Sequence, residues 1–379
     1  MKRTLTAALC TAAGMAFGIA NVAAQTTSNP DLSAISRFVV ATDDGGTRTD
    51  GRREFGRPDF YFQELELILA AYLNPYAKGD VVLTLPGPDL EAGKLGVEEL
   101  YATIVRGLPG DLNLRIGKYR AEFGKFNMMH PHQWPFITQP LVAERFFGEE
   151  GLNDLGISVS TLLPTGEIYT RLTADLLRGS SVGNGAGIAD TTGGSPFYAA
   201  SARLSAFFPL TDASDLEAGA SLYTGIHDSY HRDRFWYWNL DAKFKYRPSS
   251  YTSLTLQGEL LLNARDAQQD REFIPFTEGS VGPIVRSIRT AGGYLFGELQ
   301  FEKIFTAGVR LDYAESPYHA DDPERGFALF AGYYPVEETL GVRLEYRHTV
   351  TGGDADGPGI NAIALQFLFS LGPHKAHPF

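Results

Sequence analysis

Short segments in which apolar and polar residues alternate recur along most of the chain. In residues 234–246, RFWYWNLDAKFKY, the side chains of Trp236, Trp238 and Leu240 share one parity, and the charged Asp241 lies on the other. A period of two is that of a β-strand whose two faces meet different surroundings. Aromatic residues stand at both ends of the apolar face, as they do in strands that contact lipid on one side and water on the other. The segment therefore predicts a membrane-crossing β-strand.

Charged residues lie in the middle of several of these alternating segments. Arg310 and Asp312, for example, alternate with Val309 and Leu311. A buried charge without a partner is costly, so a dry core between two packed sheets does not suit this pattern. The polar faces are therefore expected to line water. The predicted pore-lining residues are Glu64, Glu66, Arg115, Arg171, Asp241, Lys243, Arg310, Arg343 and Glu345.

The links between the predicted strands alternate in length. Short turns, such as residues 74–76 and 164–166, alternate with longer links, several of which are rich in Gly, Asp and Ser. No apolar run after the N-terminal segment approaches the roughly 18 residues that a membrane-spanning helix needs, so a membrane role requires strands. The pattern predicts an all-β fold. This fold is a transmembrane antiparallel β-barrel of about 16 strands, with short periplasmic turns and long extracellular loops.

The first 24 residues have the features of a signal peptide. Lys2 and Arg3 precede an uncharged stretch, and Val22 and Ala24 offer small residues at the −3 and −1 positions of a cleavage site. The alternative, an N-terminal membrane helix, is disfavoured because the apolar stretch is short and ends in a cleavage-like sequence. We therefore predict a signal peptide at residues 1–24 and a single outer-membrane barrel domain at residues 25–379.

Charge and composition exclude some classes of function. The chain has a formal net charge of −12, and removal of the signal peptide makes it more negative, which argues against nucleic acid as a partner. The single cysteine, Cys10, lies inside the signal peptide. No spacing of Ser, His and acidic residues singles out a catalytic site. The sequence therefore predicts no catalytic residues and no enzymatic activity.

One long stretch, residues 121–153, interrupts the alternation and forms the third long loop. Its aromatic residues, including Phe126, Trp134 and Phe136, make it too apolar for a solvated loop tip, and the barrel interior is the nearest surface that it can cover. The loop either braces the wall through ordinary ion pairs or presents rows of opposite charge that select solutes. The charged residues predicted at the constriction are Lys125, Glu144, Arg145, Glu149 and Glu150.

The histidines of the predicted extracellular rim form a second candidate site. His130 and His132 could bind one ion, and Glu144, Glu149 or His227 could complete a shell of the N and O donors that Zn²⁺ accepts. The spacing also suits loop histidines that simply form hydrogen bonds. The sequence predicts no resident cofactor and leaves transient Zn²⁺ capture at the extracellular mouth open. The candidate metal ligands are His130, His132, His227 and His231.

Several motifs resemble those of known outer-membrane barrels. The run LNLRIGKYRAEFGKFN at residues 112–127 is similar to a strand and loop start in the phosphate-selective porin-like group of Gram-negative channels. The motifs HPHQWPF, GEEGLNDLG, PDLSAISRF and FLFSLGPHKAHPF resemble a set of barrels labelled zinc-regulated outer-membrane receptors or porins. Together these motifs span nearly the whole mature chain.

The resemblance implies a location, partners and a role for the third loop. It implies the outer membrane of a Gram-negative cell, a third loop that folds into the pore, and the homotrimer expected of sixteen-stranded relatives. The implied partners are outer-membrane lipid, lipopolysaccharide, the barrel-assembly machinery and small solutes. An energised receptor carries an N-terminal plug domain, for which the predicted mature chain has no room.

The sequence thus favours one function over an alternative. We predict a porin that lets small polar or charged solutes diffuse passively across the outer membrane. The alternative is a zinc capture or uptake receptor-like barrel that uses its rim histidines. The sequence does not identify the solute.

Overall fold

The structure is a computed structural model that describes residues 30–45, 54–87, 94–181, 198–226, 234–268, 285–317, 323–336, 339–352 and 359–372. The predicted signal peptide lies outside these residues, as do His227 and His231.

Sixteen antiparallel strands close into a barrel in which each strand pairs with its sequence neighbours and β1 pairs with β16. This architecture confirms the predicted fold class. The strands are β1 Asp31–Asp43, β2 Asp59–Asn74, β3 Ala77–Pro86, β4 Gly96–Ile104, β5 Asn113–Arg120, β6 Asn153–Leu163, β7 Tyr169–Leu177, β8 Ala199–Thr211, β9 Ser214–Ile226, β10 Arg234–Tyr246, β11 Ser253–Gln268, β12 Val285–Phe301, β13 Phe305–Ala314, β14 Glu324–Val336, β15 Leu340–Thr351 and β16 Ile360–Leu371.

The parity of each strand decides which side chains face outward. On β10, Trp238 and Leu240 lie exposed on the outer surface, whereas Asp241 is buried towards the lumen. Leu240 pairs with Ala220 on β9 and with Leu260 on β11. Directly opposite residues of antiparallel strands share a face, so the register keeps the outer surface apolar across all three strands.

The two ends of the barrel differ in their connections. The links from even-numbered to odd-numbered strands are short, and we call this the turn end; Asp31 of β1 and Leu371 of β16 also lie there. The other end, the loop end, carries the longer links. The third of these joins β5 to β6 and spans residues 121–152; we call it loop L3.

Loop L3 folds back into the lumen and forms the largest apolar cluster of the described residues together with inward-facing wall residues. It contains the short helix α1, Leu141–Phe147, and the 3₁₀ turns Phe126–Met128 and Pro131–Gln133; a further 3₁₀ turn, Pro109–Asp111, lies at the turn end. Within the described ranges, no helix is both long enough and apolar enough to cross a bilayer.

Candidate functional site

Aromatic residues hold L3 against the wall formed by β11 to β14. The ring of Phe126 lies 5.7 Å from that of Tyr294, and Phe136 lies 5.4 Å from Phe296 and 5.6 Å from Phe330. These are ordinary edge-to-face separations, and each buried ring removes a large apolar area from water. The loop aromatics were predictable from the sequence, but their wall partners were not predicted, although Tyr294 and Phe296 share the inward parity of β12.

A second group of rings continues this contact along β9 and β10. Phe123 lies 6.3 Å from Tyr223, and Phe146 and Phe147 lie 5.7 Å and 5.3 Å from Tyr237. Phe146 and Phe147 are on α1, so the helix turns its apolar face towards the wall. The loop-end half of the lumen is therefore packed with aromatic side chains on this side.

Wall carboxylates accept hydrogen bonds from the irregular backbone of L3. Glu259 on β11 accepts from the amide of Phe126 at 2.5 Å, and Glu345 on β15 accepts from the amides of Ile137 and Thr138 at 2.6 Å and 3.2 Å. Buried backbone N–H groups need such partners, and a loop without regular structure cannot supply all of them itself. The wall charges thus make it possible to bury the loop.

Wall guanidinium groups satisfy carbonyl oxygens of the same loop. Arg310 on β13 donates to the carbonyl of Thr138 at 2.6 Å, and its guanidinium lies 4.2 Å from the ring centre of Phe136. Arg343 on β15 donates to the carbonyl of His132 at 2.7 Å. Hydrogen bonds to charged groups are stronger than those between neutral groups.

The loop covers three residues that the sequence analysis placed beside water. Glu66, Arg310 and Glu345 have the inward parity, but each is at most 1% exposed. They are covered because the loop backbone and loop side chains need charged partners, and these wall residues supply them. Parity alone indicates that a side chain points inward and does not show what occupies the lumen.

The other predicted pore-lining residues also engage neighbours. Glu64 pairs with Arg37, and Asp241 pairs with Arg203 at 2.5 Å. Arg115 lies over the rings of Tyr101 and Tyr119, and Arg171 pairs with Glu122. Lys243 and Arg343 line a cavity that is described below.

The predicted constriction residues lie on two sides of L3. Lys125 pairs with Glu217 on β9 at 2.5 Å, and Arg145 pairs with Glu324 on β14 at 2.8 Å. Glu144, Glu149 and Glu150 lie on the exposed side of the loop. The two cations therefore bind the wall, whereas the three carboxylates are exposed.

His130 and His132 lie inside the lumen, where L3 contacts β2 and β4, and not on the outer rim. His132 Nδ1 is 3.1 Å from Glu66 Oε1. His130 Nδ1 is 3.7 Å from Glu66 Oε2 and 3.5 Å from Glu98 Oε1, and His130 Nε2 is 3.3 Å from Glu99 Oε2. Of the predicted neighbours of the histidine pair, Glu144 and Glu149 are exposed and His227 lies outside the described residues, while wall carboxylates contact the pair.

The three carboxylates favour the protonated form of His130. Burial lowers the pKa of His130, but the hydrogen bond to Glu99 and the charges of Glu98 and Glu66 outweigh this effect and raise it to about 9. The imidazole is therefore positively charged at neutral pH.

Among the described residues, a larger and a smaller polar cavity lie in the half of the lumen next to the turn end. The larger, of about 400 Å³, is lined by Lys243, Lys245, Lys303 and Arg343, with Glu298 as the one acidic side chain of its described lining. The smaller, of about 170 Å³, is lined by residues of β4 to β7 and by Glu122, including Arg115 and Arg171. The larger cavity carries more positive than negative side chains.

No family model matches the chain. A sequence relative is an uncharacterized protein of Aquifex aeolicus, which is 28% identical over 354 residues, an alignment that covers 84% of this chain and 70% of the relative.

Several solved structures share the fold. Salmonella typhi OmpF, solved with daunomycin, has a TM-score of 0.58 at 11% identity and covers 90% of this chain and 97% of its own. The anion-selective porin from Comamonas acidovorans has a TM-score of 0.57 at 11% identity, with 90% and 99% covered. OmpT of Vibrio cholerae, in a trimer form, has a TM-score of 0.54 at 10% identity, with 90% and 99% covered. At these identities the likeness concerns the fold.

Proposed function

We propose that this protein is a passive channel of the Gram-negative outer membrane through which small polar or charged solutes diffuse. The observation that carries the proposal is a closed sixteen-stranded barrel with an apolar outer surface and a charged lumen that a folded loop crosses. Such a surface suits hydrocarbon, and such a lumen suits water and solutes. The turn end then faces the periplasm, and the loop end faces outward.

Loop L3 acts as the constriction of this channel. It is held by aromatic packing on β9 to β14 and by hydrogen bonds to Glu259, Arg310 and Glu345, so its position is fixed by many independent contacts. A rigid obstacle in a lumen sets an upper limit on solute size. The bracing interpretation and the constriction interpretation of the loop are therefore compatible.

Small anions are the favoured solutes. Lys243, Lys245, Lys303 and Arg343 line the cavity beneath L3. Fixed positive charges beside a water-filled path raise the local concentration of anions and lower that of cations. The likeness in fold to an anion-selective porin agrees with this preference and does not identify the solute.

The expected surroundings follow from the same proposal. The outer surface contacts lipid and lipopolysaccharide, the barrel-assembly machinery inserts the chain, and a homotrimer is the expected assembly. The trimer form of OmpT, a protein of similar fold, supports that expectation.

Capture of zinc at the outer rim is less well supported. His130 and His132 lie below the loop end, inside the lumen, so an ion that reaches them has already entered the channel. His227 and His231 lie outside the described residues.

Single-channel recording tests the proposal. Purified protein in a planar lipid bilayer is expected to give stepwise conductance increments in KCl. Removal of residues 126–147 from L3, with a short Gly-Ser link in their place, should raise the conductance of each step. A folded, inserted barrel that carries no current in either form would contradict the proposal.

A further inference from the structure

Acidic side chains from two strands converge on one imidazole where L3 meets the wall. Glu66 on β2 and Glu98 on β4 are almost fully buried, and the largely buried His130 reaches them from the loop. Their donor atoms all lie within 4.8 Å of one another. These residues are remote in sequence. The strand β3 pairs with both β2 and β4 and so brings the two glutamates near each other, and L3 brings His130 to them.

Several donor atoms at this point lack a hydrogen bond. Glu66 Oε2, Glu98 Oε2 and His130 Nδ1 are buried without one, although His132 Nδ1 lies 3.0 Å from Glu66 Oε2 as an ion-pair neighbour. A buried polar atom that makes no hydrogen bond costs roughly 1–3 kcal/mol. Three such atoms around one point, two of them on carboxylates, indicate a position suited to a cation.

The local charge also favours a cation. Glu66, Glu98 and Glu99 carry three negative charges, and Arg120, which binds Glu98 at 2.5 Å, supplies one positive charge. The cluster therefore has a surplus of two negative charges when the histidines are neutral. A single divalent ion neutralises that surplus.

We propose that Glu66, Glu98 and His130 form a binding site for a divalent first-row metal ion, with Zn²⁺ as the best-suited member. One imidazole nitrogen and two carboxylates are donors that Zn²⁺ accepts, whereas Ca²⁺ prefers six to eight oxygen ligands. Two donors on a tetrahedral Zn²⁺ lie about 3.4 Å apart, given bonds of about 2.0–2.1 Å. His130 Nδ1 lies 3.7 Å from Glu66 Oε2 and 3.5 Å from Glu98 Oε1, the oxygen that binds Arg120, so the second carboxylate reaches the ion through its free Oε2 after a small rotation.

The site joins three separate elements. A bound ion links β2 and β4 to L3, whereas the aromatic contacts of Phe126 and Phe136 tie the loop to β12 and β14. The ion displaces the proton from His130, since only the neutral imidazole binds a metal. The inference concerns the folded barrel and holds whether or not the barrel conducts.

Metal binding to the purified, detergent-folded protein tests the site. After treatment with a chelator and its removal, the protein is titrated with Zn²⁺ by calorimetry and with Co²⁺ by visible absorption. The wild-type protein should bind one equivalent of metal that the His130→Gln and Glu98→Gln variants bind at least about tenfold more weakly. Co²⁺ should give d–d absorption bands that both variants lose.

His348→Gln is the matched control. His348 lies on β15, hydrogen-bonds Asn361 at 2.9 Å and is outside the cluster. The His348→Gln variant should therefore still bind one equivalent of metal. The heat-dependent gel shift of each variant checks that the barrel has folded, and His130→Gln leaves every wall residue in place. Equal binding by the wild type and both cluster variants, or no saturable equivalent in the wild type, would overturn the proposal.

Discussion

At the scale of single residues, the lumen shows how closely L3 fits its wall. Gly124 has a φ of +66°, and its amide donates to Ser221 Oγ at 3.1 Å. A Cβ at this position would lie 2.2 Å from Glu259 Oε2. The residue must therefore both adopt a left-handed backbone and have no side chain.

We predict that Gly124→Ala loosens L3 from β10 and β11. Backbone strain and the clash with Glu259 together should cost about 1–3 kcal/mol of loop docking, and single-channel recordings should show a noisier open state. Gly110→Ala is the control, because Gly110 has a φ of +69° but nothing within 4 Å of the added Cβ. If the two variants behave alike, contact with Glu259 does not position the loop.

Arg310 is the second residue whose loss should release the loop. In the wild type, Arg310 donates to Asp312 at 2.7 Å and to the carbonyl of Thr138. The Arg310→Gln change removes both bonds and leaves the buried Asp312 without its cation, which should lower the free energy of unfolding by about 3–5 kcal/mol. Limited proteolysis of the folded protein should then cut within residues 121–152, where the wild type resists. Arg325→Gln, which changes an exposed arginine on β14, should leave the protection intact.

At the scale of elements, L3 and the strands share their charges. Lys125 of the loop binds Glu217 of β9, and both side chains are largely buried. A buried ion pair that loses one partner is destabilised, because the other charge remains uncompensated. The pair therefore fixes the start of the loop in position.

A charge swap measures this coupling. Lys125→Glu and Glu217→Lys should each lower the free energy of unfolding, and the double variant should recover about 1–3 kcal/mol of the summed loss. Denaturant titration in detergent provides the measurement for all four proteins. Strictly additive losses would show that the two residues act separately.

The sequence predicts the elements better than it predicts their contacts. The alternation on β10 predicted its bounds, and the apolar composition of residues 121–153 predicted an inward loop. The meeting of His130 with Glu66 and Glu98 could not be predicted, because it depends on strand register and on the path of an irregular loop. For the same reason the inward parity of Arg310 did not indicate that L3 covers it.

At the scale of the whole molecule, the lumen has an apolar half and a charged half. The aromatic cluster fills the loop-end side, and the larger polar cavity lies towards the turn end. In the channel proposed above, a solute that passes L3 meets Lys243 and Lys245 next. The ion preference of the channel should depend on these two residues.

Reversal of these two charges tests that dependence. The Lys243→Glu, Lys245→Glu double variant should shift the reversal potential in a KCl gradient from anion preference towards cation preference. Lys94→Glu, an exposed change in the link between β3 and β4, should leave the reversal potential unchanged. An unshifted potential in the double variant would place the selective charges elsewhere.

The seam between β1 and β16 joins the first and last strands and closes the wall. L3 makes contacts with β2 and β4 on one side and with strands as late as β15 on the other. A finished cylinder leaves no gap in its side through which this bulky segment could enter. Because the segment joins the barrel at the loop end, it enters the lumen over that rim, and its contacts with β2 and β15 are complete only when both strands stand in the wall.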